Sequence, residues 1–327
     1  MKISFYHRFP GLGFSIERLF NDIRGEMPPY IQKRAIYARF SGTNPFKMLW
    51  NSISAIFCQG DINHITGDIH YLSLFLKKRK TVLTIHDCVS LERLNGWKWR
   101  LFYLLWYWLP VQRSAIVTVI SESTKHQVLH YLKCPSDKIR VIYDCVSEVF
   151  AFQPKPFDEK KPVILQVGTG HNKNLTRIVE ALRGISCHLR IIGKLNNEQR
   201  NSLEANMIEY SSVADISDAD LVQEYRQCDM LVFVSTYEGF GLPIIEAQAI
   251  GRPVVTSNIF SMPEVAGNGA CIVNPFNIKN IQRGIERIIQ NSSYRESLIN
   301  NGLTNVEKFR PKVISDKYIE IYKELIA

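Results

Sequence analysis

Two carboxylates, Glu238 and Glu246, stand with seven residues between them in "STYEGFGLPIIEAQAIGRPVV", and Gly239, Phe240, Gly241, Leu242 and Pro243 are the first five of the seven. Each type suits a polar ligand. A carboxylate can accept hydrogen bonds from vicinal hydroxyls such as those of a ribose. Glycines let the backbone come close and present its N–H groups. Pro243 suits the first turn of a helix, and a helix N-terminus favours a phosphate. Taken alone, the same spacing also fits strand–loop–helix punctuation with two acids stabilising a helix start.

The elements around these residues favour a ligand site. "MLVFV" (230–234) reads as a buried strand, and a helix over 243–250 stops at Gly251. In an open α/β sheet, ligands sit outside the carboxyl ends of strands. Glu246 is expected in the first turn of that helix, facing the ligand. A second strand at 163–167 leads into "GTGHNKN", where Gly168 turns the chain and Lys173 can neutralise a diphosphate. By itself that loop is also an ordinary tight turn before a helix over 175–183.

The same alternation runs through the chain. Strands are expected over 2–7, 81–86, 115–121 and 139–143, then over 163–167, 189–193, 230–234 and 253–257. Helices are expected over 99–113, 123–132, 175–183, 197–206, 220–227, 243–250 and 278–290. This predicts an α/β chain with parallel sheets. "AFQPKPFDEKKP" (151–162) holds three prolines among mixed charges and reads as a linker between domains 1–150 and 163–310. The helical spacing of 311–327 predicts a closing helix that can pack on either domain.

Other candidates lie in the first half. His86 ends the strand of "VLTIHDCVSL", where a histidine could meet a ligand or could be a satisfied structural residue. Gly11 and Gly13 in "FPGLGF" follow the first strand. His64, Gly67, His70 and Ser121 read as strand-end residues, with turn and capping roles as the alternative, Ser121 or Ser123 capping the next helix.

"EGFGLPIIEAQAIGRPVVTSN" followed by "MPEVAGNGACIVNP" resembles the retaining glycosyltransferases of family 4. Matching residues include Glu238, Gly239, Phe240, Gly241, Pro243, Glu246, Gly251, Pro263, Glu264 and Gly267. "QVGTGHNKNLTRIVEAL", "VLTIHDCVSL" and "IRVIYDCVSEVF" follow the family in order over most of the chain. The resemblance implies a GT-B fold, two Rossmann-like domains facing across a cleft. The first would bind the acceptor and the second a nucleotide-diphosphate sugar. It implies that Glu246 holds the ribose and Lys173 the diphosphate. Glu238 and the backbone of 240–243 would orient the sugar, with His86 contacting the sugar or its phosphate. The family's earlier basic position is occupied here by "GTGHN", so only Lys173 of that pair matches, and His171 or another group supplies the second contact. The resemblance implies no divalent metal, since the family generally needs none, and no cofactor beyond the donor.

Charge is unevenly placed. Residues 1–150 hold 20 Lys and Arg against 11 Asp and Glu, whereas 151–327 hold 20 of each. The excess fits a solvated basic surface, a polyanionic partner or an anionic membrane surface. "WKWRLFYLLWYWLPVQR" (97–113) sets four tryptophans among basic residues and follows "KKRK" (77–80). It reads as a peripheral membrane contact reaching a lipid-linked acceptor, or as a buried helix with a basic end. No 18-residue apolar run and no signal-peptide pattern occur, and seven scattered cysteines argue against a disulfide framework, so a cytoplasmic chain, peripheral on the plasma membrane, is expected.

The expected activity is transfer of a sugar, with mannose as the candidate, to a glycan or lipid-linked acceptor in surface polysaccharide synthesis. A nucleotide-sugar epimerase of the same fold and a non-catalytic nucleotide-sugar-binding subunit are the rivals. A nicotinamide dehydrogenase fits poorly, because no G-x-G-x-x-G follows the first strand, and nothing points to nucleic acid.

Overall fold

A computed structural model describes residues 1–11, 15–42, 44–93 and 95–326. The chain divides into two compact units, one of 1–145 with 311–327 and the other of 146–310.

The first unit is a parallel sheet of β1 (Lys2–His7), β2 (Gln32–Tyr37), β3 (Ile62–Ile65), β4 (Thr81–Ile85), β5 (Ile116–Val119) and β6 (Ile139–Val141). Their spatial order is β2-β1-β3-β4-β5-β6. β1, β4 and β5 read as largely apolar runs because helices cover them on both faces. The order changes direction between β1 and β3, so the loops after those strands flank a switch point.

The second unit contains β7 (Val163–Val167), β8 (His188–Ile192), β9 (Tyr210–Val213), β10 (Met230–Phe233), β11 (Val254–Ser257) and β12 (Ala270–Val273), also parallel. Their order is β12-β11-β10-β7-β8-β9. Numbered from the first strand of the unit, this is the 3-2-1-4-5-6 order of dinucleotide-binding folds, and the reversal falls between β7 and β10. Those two strands pair directly, Met230 opposite Ile164 and Leu231 opposite Leu165.

Four strands lie beyond the sequence-based expectation. β2 is an edge strand, largely exposed, and its "QKRAIY" lacks an apolar run. β3 carries Asn63 and His64 inside the core, where hydrogen bonds satisfy them. β9 is a partly exposed edge, and β12 is only four residues long.

Residues 151–162, expected as a linker, belong to the second unit. Asp229 is buried there and accepts hydrogen bonds from the Val163 and Asp158 amides and from the Lys155 ammonium. Arg252 donates to the carbonyl of Gln153, and Arg295 pairs with Glu159. The prolines give extended chain, and these anchors lay it on the domain. The boundary falls at 145/146 instead.

The closing helix, Pro311–Glu324, packs on the first unit. Its Ile314, Tyr318, Ile321 and Tyr322 share a core with Ile3, Phe5 and Phe20. Among the described residues no helix is long and apolar enough to cross a membrane.

Candidate active site

The loop after β7 and the loop after β10 meet at the switch point of the second unit. Lys173 Nζ stands 2.7 Å from Glu238 Oε1, and both side chains are mostly buried. Asn172 adds a second donor, its Nδ2 at 3.3 Å from the same oxygen and at 3.0 Å from the Tyr237 carbonyl. The Thr236 amide in turn donates to the Asn172 carbonyl at 2.8 Å, so the loops are tied along their backbones. The lysine ammonium lies 4.6 Å from the centre of the Phe233 ring, which adds a cation–π contact at the end of β10.

Backbone conformation aims the lysine. Gly168 has φ +88°, and a Cβ there would stand 2.9 Å from Lys173 Cε. A side chain at that position would meet the lysine stem. Asn174 is left-handed at φ 60° and starts the helix Leu175–Ala181. Its Nδ2 donates to the carbonyls of Val234 and Pro275 at 3.0 and 2.7 Å. Asn and Gly are the residues that accept this conformation readily. Asn172, Asn174 and Ser261 were not among the expected site residues; the run of amides in "HNKN" is the sequence trace that the first two leave.

The loop bearing Glu238 is held from below. Ser261 Oγ lies 3.0 Å from the Glu238 carbonyl and 2.7 Å from that of Phe240. The Phe240 ring is buried edge-on to Phe309, so only its backbone is available to a ligand. Gly241, at φ +106°, begins the helix Leu242–Ile250, with Pro243 in its first turn. Gly239 lies in the bend between Glu238 and Phe240.

Glu246 departs from expectation. It is the fifth residue of that helix, hence in the second turn, and it is buried. Its Oε2 accepts a hydrogen bond from Tyr225 at 2.8 Å. The apolar helix buries seven of its nine residues, which draws the carboxylate inward toward Asp218–Gln227.

The first unit groups a different set at its own switch point. His86 follows β4 and donates through Nε2 to the Thr66 carbonyl at 2.8 Å. Thr66 Oγ1 donates to the Tyr6 carbonyl at 2.9 Å and accepts from His7 Nδ1 at 2.8 Å. That assigns the Nδ1–H tautomer to His7, and Nε2 accepts from the Arg24 guanidinium. Burial and the Arg24 charge push the His7 imidazole down to about 3. Asp144 is buried, which raises its carboxyl to about 6, against a smaller opposing influence of His86. Gly11 lies in an exposed turn at φ +87°; Gly13 is outside the described residues.

Three of the other candidates have structural roles. His64 lies inside β3, not at its end, with Nδ1 at 2.6 Å from the Tyr322 hydroxyl and Nε2 at 2.7 Å from Thr84 Oγ1. His70 is buried, with Nδ1 donating to the Trp106 carbonyl at 2.7 Å. Ser121 caps the helix Glu122–Tyr131, its Oγ accepting from the Thr124 amide at 3.0 Å. Gly67 lies two residues past β3, and His171 is exposed in the turn before Lys173. All seven cysteines are free.

Two six-stranded parallel units flanked by helices, the second in 3-2-1-4-5-6 order, make up a GT-B architecture. The same fold is found in HepE of Anabaena, crystallised in complex with UDP and glucose, with a TM-score of 0.80 and 16% identity over 99% of this chain and 100% of that one. The family described as Glycosyltransferase Family 4 matches residues 14–148, and the one described as Glycosyl transferases group 1 matches residues 148–304. The chain belongs to glycosyltransferase family 4. It is 26% identical over 260 residues to the serotype-specific mannosyltransferase WbdA of Escherichia coli, covering 70% of this chain and 32% of WbdA. It thus spans about a third of the length of that relative. It is also 26% identical over 286 residues to the capsular polysaccharide biosynthesis glycosyltransferase CapM of Staphylococcus aureus, covering 80% of this chain and 74% of CapM.

Proposed function

We propose that this protein is a retaining glycosyltransferase that moves a sugar from a nucleotide-diphosphate donor to a lipid-linked saccharide during surface polysaccharide synthesis, working at a membrane face. The observation that carries the reading is the Lys173–Glu238 pair, 2.7 Å apart at the switch point. It offers one cation for a diphosphate and one carboxylate for sugar hydroxyls. Mannose is the proposed sugar, in keeping with the name of WbdA. Surface polysaccharide is in keeping with the name of CapM.

In this reading the donor diphosphate takes Lys173 from Glu238, and the carboxylate so released turns to the sugar. The backbone of Gly239–Pro243 presents N–H groups, and Glu246 serves the ribose. His86, in the first unit, contacts the sugar or its phosphate. The transition state has oxocarbenium character, with negative charge growing on the leaving diphosphate. Lys173 and fixed N–H groups compensate that charge in place of a divalent metal.

A thermal-shift panel of GDP-mannose, UDP-glucose, UDP-galactose and dTDP-glucose tests the donor. A ligand that prefers the folded chain raises its melting temperature by mass action. GDP-mannose is expected to give the largest shift, and absence of any shift across the panel would sink the reading. Turnover that survives a chelator supports the metal-free assignment; turnover abolished by it and restored by Mg²⁺ refutes it.

A further inference from the structure

A surface helix normally turns its apolar stripe to the core. The helix Pro45–Ile56 instead shows a stripe to solvent. Phe46, Leu49, Trp50, Ile53 and Phe57 recur at intervals of three and four, and all are exposed, Phe46 and Phe57 to 83%. The polar Asn51 and Ser52 of the same helix are buried on its other side.

A second stripe lies on the helical run from Gly96 to Arg113. It opens as an α-helix, passes through a π-helical stretch at Tyr103–Trp108, and closes as an α-helix at Leu109–Arg113. Trp97, Leu101, Leu104 and Trp108 are exposed, Trp97 to 70%. Trp99, Phe102, Tyr103 and Trp106 turn the other way and pack against the core of the first unit. The run is therefore half buried and half open, which joins the two alternatives that its sequence left.

Between these helices runs a groove of about 610 Å³, within the usual size of small-ligand pockets. Leu49, Phe75, Trp97 and Leu101 line it and are themselves exposed. Basic residues surround this apolar surface. Lys98 lines the groove, and Lys77–Lys80, two residues beyond Phe75, are all exposed. The Lys77 amide donates to Gln59, just past the end of the first helix. Residues 45–57, 77–80 and 96–113 carry eight Lys and Arg and no Asp or Glu.

We propose that this face docks on an anionic phospholipid bilayer, with the two aromatic stripes entering the interface and one acyl chain occupying the groove. Charge complementarity selects the occupant, because the surface joins exposed tryptophans and phenylalanines to cations with no acid among them. Aromatic side chains favour the bilayer interface, and each Lys or Arg near an anionic leaflet adds attraction. A protein partner would have to match this positive frame with acids, whereas the leaflet supplies negative charge and hydrocarbon together. The inference deepens the membrane location in the proposed function and rests on it, but it does not require the donor site.

The full chain is sedimented with vesicles of phosphatidylcholine, and with vesicles of phosphatidylcholine and phosphatidylglycerol in equal parts. Binding to the mixed vesicles, weakened by salt, is expected. Trp97→Glu with Phe57→Glu, and separately Lys77, Lys78 and Lys80→Gln, should each lower it on the order of tenfold or more. Both substituted sets are exposed, so melting temperature and nucleotide-sugar shift should match the parent. Equal binding to both vesicle types, no binding to either, or unchanged binding of the variants overturns the proposal. So does a concentration-dependent dimer that Trp97→Glu dissolves, because the face then belongs to a second copy. Vesicle binding without any nucleotide shift supports the docking face while refuting the donor site.

Discussion

Lys173 and Glu238 form an ion pair at 2.7 Å although 65 positions separate them. They meet because β7 and β10 are neighbours at the point where the strand order reverses. In the unliganded chain each compensates the charge of the other, so a bound diphosphate must compete for the lysine. Lys173→Met is expected to lower kcat on the order of a hundredfold to a thousandfold, the effect of removing one fixed donor to growing negative charge. The pair also predicts energetic coupling. Urea unfolding of Lys173→Met, Glu238→Gln and the double variant should give a coupling of about 1 kcal/mol. Strict additivity would show that the pair contributes nothing to stability.

Gly168 tests whether the lysine must be aimed. Gly168→Ala places a Cβ at φ +88° and 2.9 Å from Lys173 Cε. The left-handed backbone alone costs an L-residue about 1–2 kcal/mol. Gly184 is the control, since it has φ +81° with nothing within 4 Å of its Cβ. Both alanine variants should lose stability, and only Gly168→Ala should also lose nucleoside-diphosphate affinity by calorimetry. An equal loss in both, or in neither, would remove the steric account.

The two α/β halves and most of their strands were legible because buried parallel strands are continuous apolar runs, as in "VILQV" and "MLVF". β2 and β9 were not, because edge strands expose polar side chains and carry no such run. The placement of Lys173 and Glu238 at strand ends was legible from glycine, proline and strand position together. Their direct contact was not, because it depends on strand order. The burial of Glu246 was also hidden, since a glutamate among Ile244, Ile245 and Ala247 looks the same in sequence whether it faces solvent or Tyr225. His64 shows the converse, a histidine at a plausible position whose hydrogen bonds to Tyr322 and Thr84 lock it in the core.

Glu246 and Tyr225 give a separable pair of effects. Tyr225→Phe removes the hydroxyl that donates at 2.8 Å to a buried carboxylate, and should destabilise the chain by about 1–3 kcal/mol. Glu246→Gln should weaken binding of the ribonucleotide while leaving the 2′-deoxyribonucleotide nearly unchanged, since the deoxy compound lacks one of the hydroxyls the carboxylate would hold. Parallel titrations measure this. An equal loss for both nucleotides would remove Glu246 from the ribose.

Acid stability follows from the buried histidines of the first unit. His7 is pushed down to about 3, His64 well below its ordinary 6.5 and His70 below it, each chiefly by burial. The unfolded chain therefore binds more protons at these groups than the folded chain. Their contribution is fully present above pH 6.5 and is lost as pH falls, for His7 down to about 3. Asp144 acts with the opposite sign, because its carboxyl is raised from 3.8 to about 6. Its contribution is present below 3.8 and is lost as pH rises through 6. Histidines outnumber it in the shared window, so net stability should fall from pH 6.5 toward 4, by about 1.4 kcal/mol per pH unit for each net proton. Urea midpoints measured between pH 7 and 4 check this. His7→Gln, whose amide can keep a bond to Thr66, should flatten the slope. A midpoint that stays level or rises on acidification would show that these imidazoles are not held neutral.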